Sequence, residues 1–182
     1  MAAFPTTVGI QGMTMRLRSA VAMSSSPFSY DQQVYQHPGV RWEAEVSLPP
    51  MTRAQAKEYE AFFASLRGMA STFTMGNPIH STTATGTISS GAIGATTVTA
   101  STTAGVVAGD YFEVNDRLYM VTERTSGSSI KIMPPLRDVI STGTTMDFTL
   151  PVGTWRLASN DVGWSINEAS IYGFSFACME AL

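Results

Sequence analysis

The sequence is poor in the groups that most often carry chemistry. It holds one cysteine, two histidines and, in 182 residues, 11 Lys+Arg against 14 Asp+Glu, a formal net charge of -3. The lone Cys178 excludes an internal disulfide, and its neighbours Phe174, Phe176, Ala177 and Met179 make it read as a small buried hydrophobe. A nucleophilic thiol would need a positioned base. His37 and His80 each lie close to a proline, Pro38 and Pro78, without a partner at metal-ligand spacing, so a solvated or structurally satisfied ring is expected for both. No basic stripe is present, which argues against nucleic acid as a partner.

Long apolar runs are missing as well. No stretch of about 18 apolar residues could span a bilayer, and residues 1–10 lack both a basic start and a continuous apolar run. The expectation is a chain that stays in the cytosol unless a larger assembly carries it out. Neither G-x-x-x-x-G-K-[ST] nor a strand-flanked G-x-G-x-x-G occurs, and Gly91-Ala92-Ile93-Gly94 reads as a turn-rich stretch. A G-x-S-x-G elbow is absent, and two isolated histidines offer a poor base for a Ser/His/Asp triad. No repeat of solenoid or propeller length appears. These gaps point away from an enzyme, and no catalytic residue, cofactor or metal site is assigned.

What the chain does have is Ser, Thr, Gly and Met in place of charge, together with enough length to bury a core without crosslinks. Much of its surface must then be neutral, and neutral faces are readily buried against neighbouring subunits.

Alternation marks the strands. Over residues 41–48, Trp42, Ala44, Val46 and Leu48 point one way while Arg41, Glu43, Glu45 and Ser47 point the other. Residues 13–21 alternate in part, with Met13, Met15, Leu17 and Val21 on one side. A turn at 24–27 is expected to lead into a further strand at 28–35. Pro49 and Pro50 end the strand at 48. One helix follows at about residues 53–67: Thr52 and Gln55 have capping-box spacing, Tyr59, Phe62, Phe63 and Leu66 share a face, and Gly68 sits near the C′ position. Such a helix is marginal alone and needs a sheet to cover. Residues 71–75 resume as a strand that Gly76-Asn77-Pro78 breaks.

From Ser81 to Gly109 the composition shifts to Thr, Ser, Ala and Gly without charge. A flexible linker competes with short strands, and the β-branched residues of 87–89 and 96–99 favour strands. Residues 111–114 and 117–123 flank the two-residue turn Asn115-Asp116 as a hairpin. Further strands are expected at 129–133, 146–150 and 153–158, around Trp164 and Ile166, and over 169–182, where Phe174, Phe176 and Cys178 share a face.

Three constellations merit a functional reading beside the structural one. Glu43 and Glu45 share a strand face, as paired glycosidase acids can, but any wet strand face gives the same spacing. Asp110, Glu113, Asp116 and Glu123 cluster around the hairpin without a D-x-[DN]-x-[DN]-G calcium loop and read as solvated hairpin acids. Trp42, Trp155 and Trp164 could form a sugar-stacking surface, although tryptophans in strand-like segments more often pack in a core.

Particular residues resemble a family. Residues 42–48, Pro49-Pro50-Met51-Thr52, Phe62-Phe63-Ala64-Ser65-Leu66-Arg67-Gly68 and Thr72-Phe73-Thr74-Met75-Gly76-Asn77-Pro78 are similar to a unit of distal tail proteins of long-tailed bacteriophages. The same group is resembled by Gly109-Asp110-Tyr111-Phe112, Arg117-Leu118-Tyr119-Met120-Val121 and Ile130-Lys131-Ile132-Met133-Pro134-Pro135-Leu136-Arg137. The run of short strands with one helix predicts a mainly β chain, a β-sandwich or barrel domain with one short helix. The resemblance implies that this domain forms rings and is interrupted by a small inserted β-barrel, and the composition shift at Ser81 sets the expected bounds at residues 1–80 plus 151–182 for the first and 81–150 for the second. The resemblance further implies a homohexamer in the virion tail tip, assembled in the host cytoplasm, whose partners are its own copies and tail proteins such as the tube and the tip hub. No membrane or nucleic-acid partner is expected, and no interface residue is assigned. The alternative is a carbohydrate- or receptor-binding tail module in which an exposed tryptophan does the recognition. A tail-associated hydrolase is a third reading, disfavoured because no acid/base constellation is evident.

Overall fold

Alternating apolar residues build two β units, each around its own core. The computed structural model describes residues 1–76, 78, 84–167 and 170–182. His80 and the first threonines of the uncharged stretch, Thr82 and Thr83, lie outside the described residues. The strands are β1 (Ala2–Ala3), β2 (Gly12–Ser25), β3 (Gln32–Ser47), β4 (Thr72–Gly76), β5 (Thr85–Ser90), β6 (Thr97–Ala100), β7 (Tyr111–Val114), β8 (Arg117–Ser126), β9 (Ser129–Met133), β10 (Thr144–Asp147), β11 (Val152–Leu157), β12 (Trp164–Ile166) and β13 (Tyr172–Glu180). One α-helix, α1 (Arg53–Leu66), joins β3 to β4 through a short 3-10 turn. The chain is mainly β, as its patterning predicts.

The first unit is a mixed sheet in the order β1-β4-β11-β13-β3-β2, with β12 added to the end of β13. Among the described residues only the β1–β4 pairing is parallel, at Ala2↔Phe73 and Ala3↔Thr74. One face of the sheet is apolar, presenting Trp42, Ala44, Val46, Leu48, Phe73, Met75, Trp155, Leu157, Phe174, Phe176 and Cys178 to the core. Helix α1 lies over part of that face. Its Phe62 meets Phe73 at 5.5 Å between ring centroids, and its Phe63 meets Phe176 at 5.0 Å. Gln55 Oε1 accepts the Thr52 backbone N–H at 3.0 Å, as the capping-box spacing predicts. At the other end the left-handed turn falls one residue earlier than expected: Arg67 itself takes φ 53°, and Gly68 follows at 66°. Gly68 tolerates this conformation without a Cβ penalty.

The second unit closes on itself as a six-stranded barrel, β10-β5-β6-β9-β8-β7. Ile88, Val98, Phe112, Tyr119, Val121 and Ile130 are fully buried inside it. The Thr-rich stretch therefore supplies barrel strands, because Ile88 and Val98 each point inward from an otherwise polar strand. Asn115 and Asp116 adopt φ 53° and 59°, the doubly left-handed geometry of a tight hairpin. The strand expected at 146–150 lies instead at Thr144–Asp147, and Phe148 still reaches the barrel core.

The barrel completes the cover of the sheet. Leu118, with the half-buried Tyr111 and Met120, packs against the sheet's core from the outer side of the β7–β8 hairpin. The backbones come close at Gly153, where a Cβ would stand 3.2 Å from Leu118 Cβ and 3.0 Å from Trp155 Nε1. The sheet's apolar face is thus shared between a helix and a barrel wall.

Candidate assembly surface

The described residues singled out for chemistry are dispersed over both units, and most are buried or paired within the chain. Cys178 is buried, and desolvation pushes its thiol pKa up to about 12, far from a reactive thiolate. His37 is exposed, 5.1 Å from the Tyr35 ring. Glu43 and Glu45 do share the wet face of β3, but they sit in a ladder of opposite charge: Arg41 and Arg18 reach Glu43 at 2.7 and 3.4 Å, and Arg16 reaches Glu45 at 2.9 Å. The hydrogen bond from Arg41 holds the Glu43 carboxyl below its ordinary pKa, which favours its charged form.

The hairpin acids do not converge, and not all are solvated as expected. Asp110 is buried, accepting the Val107 N–H at 2.8 Å to close a turn. Glu113 accepts the Asp116 N–H at 3.2 Å and the Val152 N–H at 3.4 Å. Burial raises its pKa, with the nearby Asp116 and Asp147 charges adding to the shift against these hydrogen bonds. Glu123 is taken by Lys131 at 2.7 Å. Among the described residues no group of three or more His, Cys, Asp or Glu could hold a metal ion, and no helix is long and apolar enough to cross a membrane.

The tryptophans divide. Trp42 and Trp155 are core residues whose indole N–H groups donate to Leu118 O at 3.0 Å and Met75 O at 3.2 Å. Trp164 is 40% exposed on β12 and stands 5.8 Å from Phe174.

The largest feature that the sequence disclosed only in part is an arm. β2 and β3 pair from Gly12↔Ser47 outward, and beyond Ser19↔Val40 they leave the body as a two-stranded hairpin. The register shifts there, Val21 pairing with Gln36, so that His37, Pro38 and Gly39 bulge opposite Ala20. A bulge accommodates Pro38, which has no N–H to give to a ladder. The strand expected at 28–35 is in fact the tip followed by the returning strand. Residues 26–31 turn, with Ser26 N–H donating to Asp31 O at 2.9 Å and Tyr30 at φ 59°, and Phe28 is 95% exposed.

Every residue from Ser19 to Gly39 except Ser26 is exposed, and Asp31 is the one carboxylate or Lys/Arg among them. Val21, Met23, Phe28, Tyr30, Val34 and Tyr35 are all large and exposed. An isolated two-stranded hairpin is at best marginally stable in water, and its open margins would template pairing with another chain. Neutral composition, exposed aromatics and unpaired backbone coincide on one protruding element. The comparisons with known proteins add no family: no family model and no curated protein matches the chain.

Proposed function

We propose that the chain is a structural subunit of a phage tail tip, a homo-oligomeric ring joining the tail tube to the tip complex. The observation that carries this reading is the β2–β3 arm, a two-stranded extension almost without charge that holds six large exposed apolar or aromatic side chains and packs on nothing else among the described residues of its own subunit. A tail-tip ring supplies what the arm lacks, since repeated copies cover each other's exposed apolar surface and strand margins.

The residues of the resemblance occupy structural positions that suit it. The unit at 42–78 comprises the inner half of β3, α1 and β4, the two strands that flank the central β11–β13 pair and the helix that covers part of the sheet's apolar face. Pro134-Pro135-Leu136-Arg137 lies where the barrel is fastened to that sheet. The resemblance supplies the number six, the tail tube and tip hub as neighbours, and the virion tail tip as location. The sparse, internally paired titratable groups fit a non-enzymatic role.

Static light scattering on the full chain tests the reading. A ring-sized oligomer is expected, and replacing residues 20–39 by a tight turn should give a folded monomer. A native chain that stays monomeric at high concentration would overturn it.

A second reading rests on Trp164, whose exposed face could stack on a sugar ring in a carbohydrate- or receptor-binding tail module. Glycan binding by the native chain that disappears in Trp164→Ala would favour it over the ring.

A further inference from the structure

Five of the six seams of the barrel are laddered at two or more positions, and one is not. β7 and β10 meet at a single registered pair, Asp147↔Glu113, so the circuit closes on two carboxylates set directly opposite each other. Like charges at facing ladder positions weaken the pairing. A third carboxylate, Asp116, stands in the turn after β7, where its N–H donates to Glu113 Oε1 at 3.2 Å. From β8 the residue facing Glu113 is the uncharged Leu118, and the adjacent Arg117 is engaged with Asp138 at 3.6 Å and with Ala181 O. None of Glu113, Asp116 and Asp147 is in an ion pair among the described residues.

The same seam lies where the chain leaves the barrel for the sheet. Asp147 ends β10 and Val152 opens β11. The Val152 N–H donates to Glu113 Oε2 at 3.4 Å, so one carboxyl faces the last barrel strand and also holds the first residue of the sheet strand. Between those points Asp147 Oδ1 accepts the Thr149 N–H at 2.8 Å, and Phe148 is buried with its ring 5.2 Å from that of Phe112.

We infer that the β7–β10 seam is a pH-sensitive latch, closed while Glu113 is neutral and opening locally, with release of residues 147–151, when Glu113 and Asp147 are both charged. Acidity then sets how firmly the barrel is fixed to the sheet, whatever the oligomeric state. Burial, reinforced by the charges of Asp116 and Asp147, raises the pKa of Glu113 in the closed seam against its two hydrogen bonds. In the open seam the carboxyl meets water and returns to its ordinary value. Closure therefore gains a contribution that is complete below the ordinary carboxylate range and is lost as pH rises through the raised value. The other five ladders stay paired, so opening is a local event.

Hydrogen exchange on the full chain, read by mass spectrometry at pH 4.5 and pH 8 and corrected for the chemical exchange rate, tests the latch. Amides of residues 144–150 should be about fivefold better protected at the lower pH, the order that one like-charge pair across a ladder implies, while β9 changes less. Glu113→Gln, nearly isosteric, should bring the protection at pH 8 up to the acid value and abolish the pH dependence. Equal protection of the native chain at both pH values, a change shared equally by β9, or a pH dependence that survives in Glu113→Gln overturns the inference. A second measurement needs no variant: by NMR the carboxyl carbon of Glu113 and the amide of Phe148 should titrate together, with a midpoint above the ordinary glutamate range. A Phe148 amide that does not move, or that follows the ordinary range, overturns it equally.

Discussion

Arg137 and Glu180 form a two-pronged ion pair across the junction of barrel and sheet, Nε to Oε1 at 3.0 Å and Nη2 to Oε2 at 2.8 Å. The pair is joined into both backbones. Glu180 Oε2 also accepts the Trp42 N–H at 3.1 Å, and Arg137 Nη2 donates to Val40 O. With side-chain exposures of 15% and 6%, neither charge can turn to water if its partner is removed. Arg137→Ala or Glu180→Ala should each cost about 3–5 kcal/mol in urea denaturation, the usual result of orphaning a buried charge. The double variant should cost clearly less than the sum, and additive losses would show that the two act independently.

The aromatic layer between α1 and the sheet should be the most sensitive part of the core. Phe73 is fully buried, with the rings of Phe62 at 5.5 Å, Phe4 at 6.3 Å and Phe176 at 6.4 Å. Removing its ring leaves a cavity that β4, held between β1 and β11, cannot collapse to fill. Phe73→Ala is expected to lose about 3–5 kcal/mol by denaturant titration. Phe28→Ala, at the exposed tip of the arm, should leave monomer stability within about 0.5 kcal/mol of the native value.

Glu113 gives a pH dependence with a definite sign. Burial raises its folded-state pKa above the ordinary carboxylate value, with Asp116 and Asp147 reinforcing the shift. Folding therefore favours its neutral form. The stability this contributes is complete at pH below the ordinary carboxylate range and is lost as pH rises through the raised folded value. Glu113→Gln, which stays neutral and keeps an acceptor for the Asp116 N–H, should raise the melting temperature at pH 7 and leave it nearly unchanged at pH 3.5. A lower melting temperature at pH 7 would mean that the hydrogen bonds to the charged carboxylate outweigh its burial.

These relationships differ in how far the sequence discloses them. Helix α1 is legible because Thr52 and Gln55 mark its start and Tyr59, Phe62, Phe63 and Leu66 recur at helical spacing. β13 is legible because Phe174, Phe176 and Cys178 alternate over a core, and Asn115-Asp116 announces its hairpin. All are local signals. The arm is legible only in part: strands at 13–21 and 28–35 about a turn at 24–27 foreshadow a hairpin, but its strands pack on no core, so Ser, Ala and Gln interrupt the alternation, its length and protrusion give no local signal, and Pro38 argues against a strand until the bulge is seen. The Arg137–Glu180 pair is silent, because a contact across 43 positions has no periodicity and Arg137 follows two prolines like an ordinary loop residue. Asp110 reads as a solvated acid beside a hairpin because nothing local announces the turn that buries it.

The barrel's closure leads to a last prediction. Its strands form a complete circuit around their own core, so no ladder in residues 84–150 depends on a strand from the sheet. The fragment 84–150 should fold alone and melt cooperatively, and a fragment without a cooperative transition would show that the sheet is needed to close it. Excision uncovers Leu118, Tyr111 and Met120, which the sheet otherwise covers. It also leaves Arg137 without Glu180. The fragment should therefore be less stable than the barrel within the whole chain and prone to self-association through the uncovered β7–β8 wall. Leu118→Lys should suppress that association in the fragment without lowering its melting temperature. The same substitution in the full chain should be strongly destabilising, because it sets an unpaired ammonium beside Trp42 and Gly153.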